Sequence, residues 1–571
     1  MTELGSAGIT DTDRRPHDGR GIARGAAVIA GLTILSRFVG LGRTLVFSQT
    51  VGATCLGTAY ITASQIPNLV QELVLGGALS SVMVPVLARA AERSARDPDE
   101  KARVSRISSA LLTWTVVILA PITVVIGVSA GRIAELLDPV NQNAQCVHSA
   151  FVATTANMLR VFAPQAILYG LTVVLFGLLQ AYRRFAGYAL APMVSSIVVI
   201  GSYLVFEPIG KGLSLARLSP AAQLILSVGA TLGIASMVAV ALLATRRLRL
   251  RLRPAFRFPP GIAAWVGGLA LVGLVEVIAS DLSNLVVIAL ANGHGTTGAL
   301  VIFNYASQVF NTLNAVLGLS IVLSAFPVLS SREGAVFDRT CAGSTRAVLL
   351  ASWLGTAVIA AVAIPAAHVL ASQPSQVPEL VFAFLALAPG LAGFGVMANL
   401  ARVMLALGRL KLAATVVAAS WLLTILAQVI LVAFVPSRLV VAALCIGNTV
   451  GQTAAAVITT VVTRRIRGRE AMAGVWRAFW IGLLGAGLAA LAGAGVCLAL
   501  PVHHKFADVL VGALAAGCAV VAFVLIALLL NRGDVTQFVA WTRQISRLRM
   551  SRRAAGESSA WDGRAGRGSG T

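Results

Sequence analysis

Long apolar stretches recur between residues 24 and 530, separated by short clusters of Arg and Lys. A helix needs about 20 apolar residues to cross the hydrocarbon core of a bilayer. By that measure the spans are 24–48, 57–87, 107–128, 153–180, 187–206, 222–244, 260–291, 298–330, 347–369, 379–407, 411–434, 439–463, 477–500 and 508–530. None shows the period-2 alternation of a barrel strand. Charged residues are 12% of the chain, where a soluble domain has about twice that, which excludes a soluble enzyme on a single anchor. The expected fold is an all-α polytopic membrane protein with about fourteen transmembrane helices.

Charge placement tests the count. A net charge of +23 would suggest nucleic acid in a soluble protein. Here the charges sit in every second loop, as orientation signals do, so no nucleic-acid partner is expected. Arg14, Arg15, Arg20 and Arg24 precede the first span. Arg89, Arg93, Arg96, Lys101, Arg103 and Arg106 follow the second, and Arg183 and Arg184 the fourth. Arg246, Arg247, Arg249, Arg251 and Arg253 follow the sixth. Later come Arg332 and Arg339, then Arg409 and Lys411, then Arg464, Arg465, Arg467 and Arg469. The intervening loops hold only Arg132, Lys211, Arg217, Arg438 and Lys505. Both termini are therefore expected in the cytoplasm. Residues 1–21 show no secretory signal and read, like the basic tail at 531–571, as disordered cytoplasmic sequence.

An internal repeat divides the spans. Leu75, Gly76, Pro85, Val86 and Leu87 match Leu317, Gly318, Pro327, Val328 and Leu329 without a gap. The segments Leu178–Leu190 and Met404–Val416 also correspond. The repeat unit is about six helices, and an even number gives two halves of the same orientation, with a substrate site between them. The expected organisation is a six-helix bundle at 22–244, a basic linker at 245–259, a second bundle at 260–465 and two extra helices at 466–530.

Motifs of soluble catalysis are absent: there is no P-loop, HExxH or nucleophile elbow, and Gly293–Gly298 lacks a phosphate-loop lysine. No enzyme activity, metal or cofactor is expected. His503 and His504 read as solvated loop residues. The six cysteines are scattered and read as small packing residues, although Cys55 and Cys146 both fall in loops assigned outside, where a disulfide is an open alternative. Charges inside spans are expensive and must face the interior or water. They are Arg37, Arg43, Glu72, Glu276, Asp281 and Arg402, with Arg160 near a span end. Arg37 lies about 20 Å into its helix, near mid-membrane, and reads as a cation facing a polar cavity. Arg43 points about 120° away on a straight helix, unless Gly40 and Gly42 bend it. Glu72 is expected to pair with an arginine or to gate, Asp281 to carry a proton or ion, and Arg402 to snorkel toward the inner face.

The stretch Ser36–Glu92 resembles the opening of the MurJ/MviN family of lipid II flippases, in the multidrug/oligosaccharidyl-lipid/polysaccharide exporter superfamily. Ser36, Arg37, Gly40, Arg43, Pro67-Asn68-Leu69 and Val84–Leu87 carry the likeness. Asn304-Tyr305 to Pro327-Val328-Leu329 is similar to that family's eighth span. The resemblance implies a V-shaped pair of six-helix bundles around a cationic cavity, with the last two helices forming a groove for a polyprenyl tail. It implies alternating-access transport of the undecaprenyl-diphosphate-linked peptidoglycan precursor across the bacterial plasma membrane. Substrate contacts would come from Arg37, Arg43, Gln71 and Gln308, and gating or ion coupling from Glu72 and Asp281. Partners would be that lipid-linked precursor, membrane lipids and other cell-wall synthesis proteins. Many relatives carry Asp near Thr58 and Arg at Gln71 and Gln308, so the cavity here should be less cationic. Two alternatives stand beside this reading: an exporter of another polyprenyl-linked glycan or of drugs, and a non-transporting scaffold for envelope assembly.

Overall fold

A computed structural model describes residues 19–74, 97–137, 146–182, 184–248, 250, 252–256, 262–500 and 505–530. No strand occurs among them. The long helices are α1 (Gly19–Thr50), α2 (Cys55–Val74), α3 (Pro98–Val128), α4 (His148–Ala181), α5 (Phe185–Gly210), α6 (Pro220–Arg246) and α7 (Ile262–His294). They continue as α8 (Ala299–Ser330), α9 (Gly334–Leu370), α10 (Pro374–Ala406), α11 (Leu410–Ala433), α12 (Val440–Arg467), α13 (Val475–Ala499) and α14 (Lys505–Leu530). Twelve segments among the described residues, from α3 onward, are long and apolar enough to cross a membrane. The Leu75–Leu87 limb of the repeat, Arg89, Arg93, Arg96, Arg249, Arg251, both tails beyond residues 19 and 530, and His503 and His504 lie outside the described residues.

Local chemistry sets several helix starts. Asp97 caps α3 by accepting from the Asp99 backbone N–H at 2.8 Å, with Pro98 in the first turn. Ser219 does the same for α6 toward Ala222 at 3.2 Å, ahead of Pro220. Large apolar side chains stay exposed along the outward faces: Val117, Ile118 and Val124 on α3, Leu422 and Leu426 on α11, Leu488 and Leu491 on α13. A water-soluble surface would not carry such bands, whereas lipid accepts them.

The repeat is visible in the packing. In the first half α1 packs on α5, α5 on α6, α4 on α6, α3 on α4 and α2 on α4. The same set recurs six helices later, with α7 on α11, α11 on α12, α10 on α12, α9 on α10 and α8 on α10. Glycine spacing explains the tightest of these pairs. A Cβ on Gly229 or Gly233 of α6 would meet Ser202 at 2.1 Å or Val199 at 2.4 Å of α5. One on Gly447 or Gly451 of α12 would meet Gln428 at 2.6 Å or Thr424 at 2.3 Å of α11. Both pairs are GxxxG, the spacing that lets membrane helices approach closely. Helices α13 and α14 attach to the second half through α9.

The two ends of the bundle differ. At one end Cys55 and Cys146 form a disulfide with their Cα atoms 5.8 Å apart. Around it a single apolar core runs through both halves, joining Phe47, Leu56, Phe162 and Tyr203 to Leu300, Tyr305, Phe384 and Leu444. At the opposite end lie Arg103, Arg184, Arg246, Arg332, Arg409 and Arg464. Toward that basic end, among the described residues, each apolar cluster stays within one half: Val104, Ile107, Val174 and Leu178 in the first, Leu349, Val396, Leu400 and Val403 in the second. The halves are thus joined at the disulfide end and, among the described residues, share no such core at the basic end.

Candidate functional site

Helix α1 runs unbroken through Gly40 and Gly42, and a Cβ at either would meet nothing within 4 Å. Arg37 and Arg43 therefore keep different surroundings. Arg37 is exposed. Arg43 is half-buried and acts electrostatically on Tyr60 of α2, Tyr169 of α4 and Tyr203 of α5. It faces the interior of the first half and does not snorkel to the nearer end.

Those tyrosines form a network that residue-level reasoning on charges missed. The Tyr60 and Tyr203 hydroxyls share a hydrogen bond of 3.0 Å, and Tyr169 donates to Asn68 Oδ1 at 3.0 Å. Phe47 stands among Tyr60, Tyr203 and Tyr305, with ring centroids 5.4, 5.3 and 6.4 Å away. The chain has only six tyrosines, and these four lie inside its spans, a signal available in the sequence. Asn68, within the Pro67-Asn68-Leu69 motif, gains its role by holding Tyr169.

The acidic residues also find partners that the sequence did not indicate. Glu72 is exposed near the end of α2, and its carboxyl interacts with that of Asp281 across the boundary between the halves. Asp281 is 6% exposed, and no hydrogen-bond donor reaches either of its oxygens. Glu276, about a turn and a half earlier on α7, interacts with Arg402 of α10. Arg402 is half-buried, and its guanidinium lies 3.5 Å from the Ala398 carbonyl of its own helix. Gln71 and Gln308 are half-buried, and the Thr58 hydroxyl turns back on the Thr54 carbonyl at 3.0 Å. Six residues beyond Gln308, α8 widens into a π-turn over Asn314–Leu319, a feature frequent at functional sites.

Directly at the disulfide end, polar bonds latch the halves. Ser372 accepts from the Ala53 N–H at 2.9 Å and donates to the Ser48 carbonyl at 3.2 Å. Gln376 donates to the Ala53 carbonyl at 2.8 Å, and Gln49 to the Val369 carbonyl at 2.7 Å. Asn292 of α7 donates to the Thr62 hydroxyl at 3.1 Å and the Leu137 carbonyl at 2.9 Å. Lys505 of α14 reaches the Gln49 amide oxygen.

A helical bundle of two like halves, joined by an apolar core at one end and bearing charged residues inside its long apolar helices, defines a polytopic membrane protein. The family described as "Lipid II flippase MurJ" matches residues 47–527, and the chain belongs to it. A protein of Burkholderia cenocepacia named "Lipid II flippase MurJ" is 27% identical over 187 residues, 32% of this chain and 34% of that one. A "Probable lipid II flippase MurJ" of Synechocystis is 28% identical over 240 residues, 41% and 42% of the two chains. The chain thus aligns with between a third and a half of the length of these relatives. Among solved structures, "Lipid II flippase MurJ, inward closed conformation" superposes with a TM-score of 0.66 at 14% identity, over 89% of this chain and all of the other. An inward-facing multidrug resistance MATE family transporter of the MOP superfamily gives 0.60 at 14% identity, over 78% and 98%. At these identities the likeness is one of fold.

Proposed function

We propose that this protein carries lipid II, the undecaprenyl-diphosphate-linked peptidoglycan precursor, from the inner to the outer leaflet by alternating access. The observation that carries this reading is a pair of arginines on α1, Arg37 exposed and Arg43 half-buried, in a bundle latched at the disulfide end and, among the described residues, without a shared core at the basic end. Arg37 and Arg43 supply permanent cations for a diphosphate, because guanidinium donors match phosphate oxygens in pairs. Gln71 and Gln308 add uncharged donors to the same site, and Glu72 and Asp281 govern gating. The division into bundles at 22–244 and 260–465, with the linker at 245–259 and the helix pair at 466–530, belongs to this reading. So does the orientation, with the basic end and both termini in the cytoplasm and the disulfide outside, where thiols stay oxidised.

The test is a depletion experiment. Cells losing their own flippase accumulate lipid II in the inner leaflet, and this chain should relieve that accumulation and restore growth. Growth without any change in lipid II distribution would assign another cargo. No rescue from protein that reaches the membrane would leave a scaffold.

A further inference from the structure

Glu72 belongs to the first half and Asp281 to the second, and their carboxyl groups lie close enough to interact. Asp281 is about 20 Å from the disulfide end of α7, counted at 1.5 Å per residue, and so near mid-membrane. It is buried, and neither oxygen receives a donor. Helix α7 packs against α2, α8, α11 and α12. Their charged or titratable side chains are Tyr60 and Glu72, Tyr305, Lys411, and Cys445 with Arg464, Arg465 and Arg467. Of these only Glu72 acts on Asp281, while Glu276 on α7 itself is engaged by Arg402.

Two ionised carboxylates have no proton to donate to each other, and they repel, the more so because Asp281 is buried although Glu72 is exposed. One proton placed between them converts that repulsion into a charge-assisted hydrogen bond. We propose that the Glu72–Asp281 pair binds a single shared proton, and that this proton clasps α2 of the first half to α7 of the second. The proton comes from water on the side to which the pair is open and returns to water on release; no other bond is made or broken. The clasped arrangement binds one more proton than the released one, so acid favours the clasp and alkali separates the two helices. This rests on the alternating-access reading above and adds to it what holds and frees the halves.

The amide of a Glu72→Gln or Asp281→Asn variant donates to the remaining carboxylate without needing a proton. Each should therefore hold the clasp at every pH. The measurement is a pulsed-EPR distance between spin labels at Ala102→Cys on α3 and Leu410→Cys on α11, both exposed toward the basic end. Cys341, Cys445, Cys497 and Cys518 are replaced, the Cys55–Cys146 disulfide is kept, and the protein sits in nanodiscs without lipid II. In the otherwise native chain the distance distribution should shift as pH rises, the population ratio changing about tenfold per pH unit through the transition, as one proton requires. Both single amide variants should show the low-pH distribution throughout. A native distribution that ignores pH, or a pH response that survives in Asp281→Asn, overturns the clasp. A shift that follows sodium at fixed pH overturns it too, by making the guest a metal cation. Because no cargo is present, a clasp that responds to pH in a protein that moves no lipid II would sink the flippase reading alone.

Discussion

On the proposed reading Arg37 carries a permanent charge near mid-membrane, where insertion costs about 2.5–3.5 kcal/mol on translocon scales, and water or an anion offsets it. Its neighbour Arg43 is compensated differently, by the hydroxyl-rich wall of Tyr60, Tyr169 and Tyr203. That wall depends on the Tyr60–Tyr203 hydrogen bond. Tyr203→Phe leaves the buried Tyr60 hydroxyl without its partner, at a cost of about 1–3 kcal/mol, and should lower the thermal midpoint in detergent. Tyr60→Phe combined with Tyr203→Phe should cost less than the sum of the two single changes, since both ends of the bond are then removed. Strict additivity would mean the hydroxyls contribute independently. At this scale the sequence exposed charges readily, because an arginine or aspartate within an apolar run has no bland surroundings. It hid the pairings. Nothing in spacing says that Glu72 on α2 interacts with Asp281 on α7, or Glu276 with Arg402, since such proximity is set by how separate helices cross.

Helices follow the apolar runs closely, because backbone groups in lipid must satisfy one another within the helix. The GxxxG pairs on α6 and α12 were equally readable in principle, and they place the fifth and sixth helices of each half. What the sequence did not announce is the segment Ser372–Gln376, between α9 and the body of α10, which fastens the second half to the turn after α1. Gly298 contributes to the same closure. Its φ of 86° and the Ala53 carbonyl oxygen, 2.5 Å from where a Cβ would stand, leave no room for a side chain. Gln376→Ala removes a donor to Ala53 and an acceptor for the Ser372 and Gln373 backbone N–H groups. Hydrogen exchange across residues 50–56 and 371–377 should then speed up about tenfold, the equivalent of one hydrogen bond, while residues 98–110 stay unchanged. Unchanged exchange at 50–56 would show that the apolar core alone keeps the disulfide end shut.

On the scale of the whole molecule, two like halves meet at the disulfide end and share no apolar core at the other among the described residues. The repeat of Leu75–Leu87 in Leu317–Leu329 foretold the likeness of the halves, but not which end would be sealed, because closure is a state of the assembly and not of either half. Orientation can be read by labelling single cysteines with an impermeant thiol reagent. Sites within 208–219 should react from outside the cell, and sites at 252–256 only after the membrane is opened. Reaction of both from the same side would contradict the proposed topology. Movement of a diphosphate-linked lipid by an arginine-bearing site can be followed in vesicles containing this protein and lipid II, as the fraction of lipid II that changes leaflet. Native protein should translocate it, Arg37→Lys should do so partially because it keeps charge but loses the paired donors, and Arg37→Ala should fall to the rate of empty vesicles. Translocation by Arg37→Ala at the native rate would rule out Arg37 as the diphosphate site.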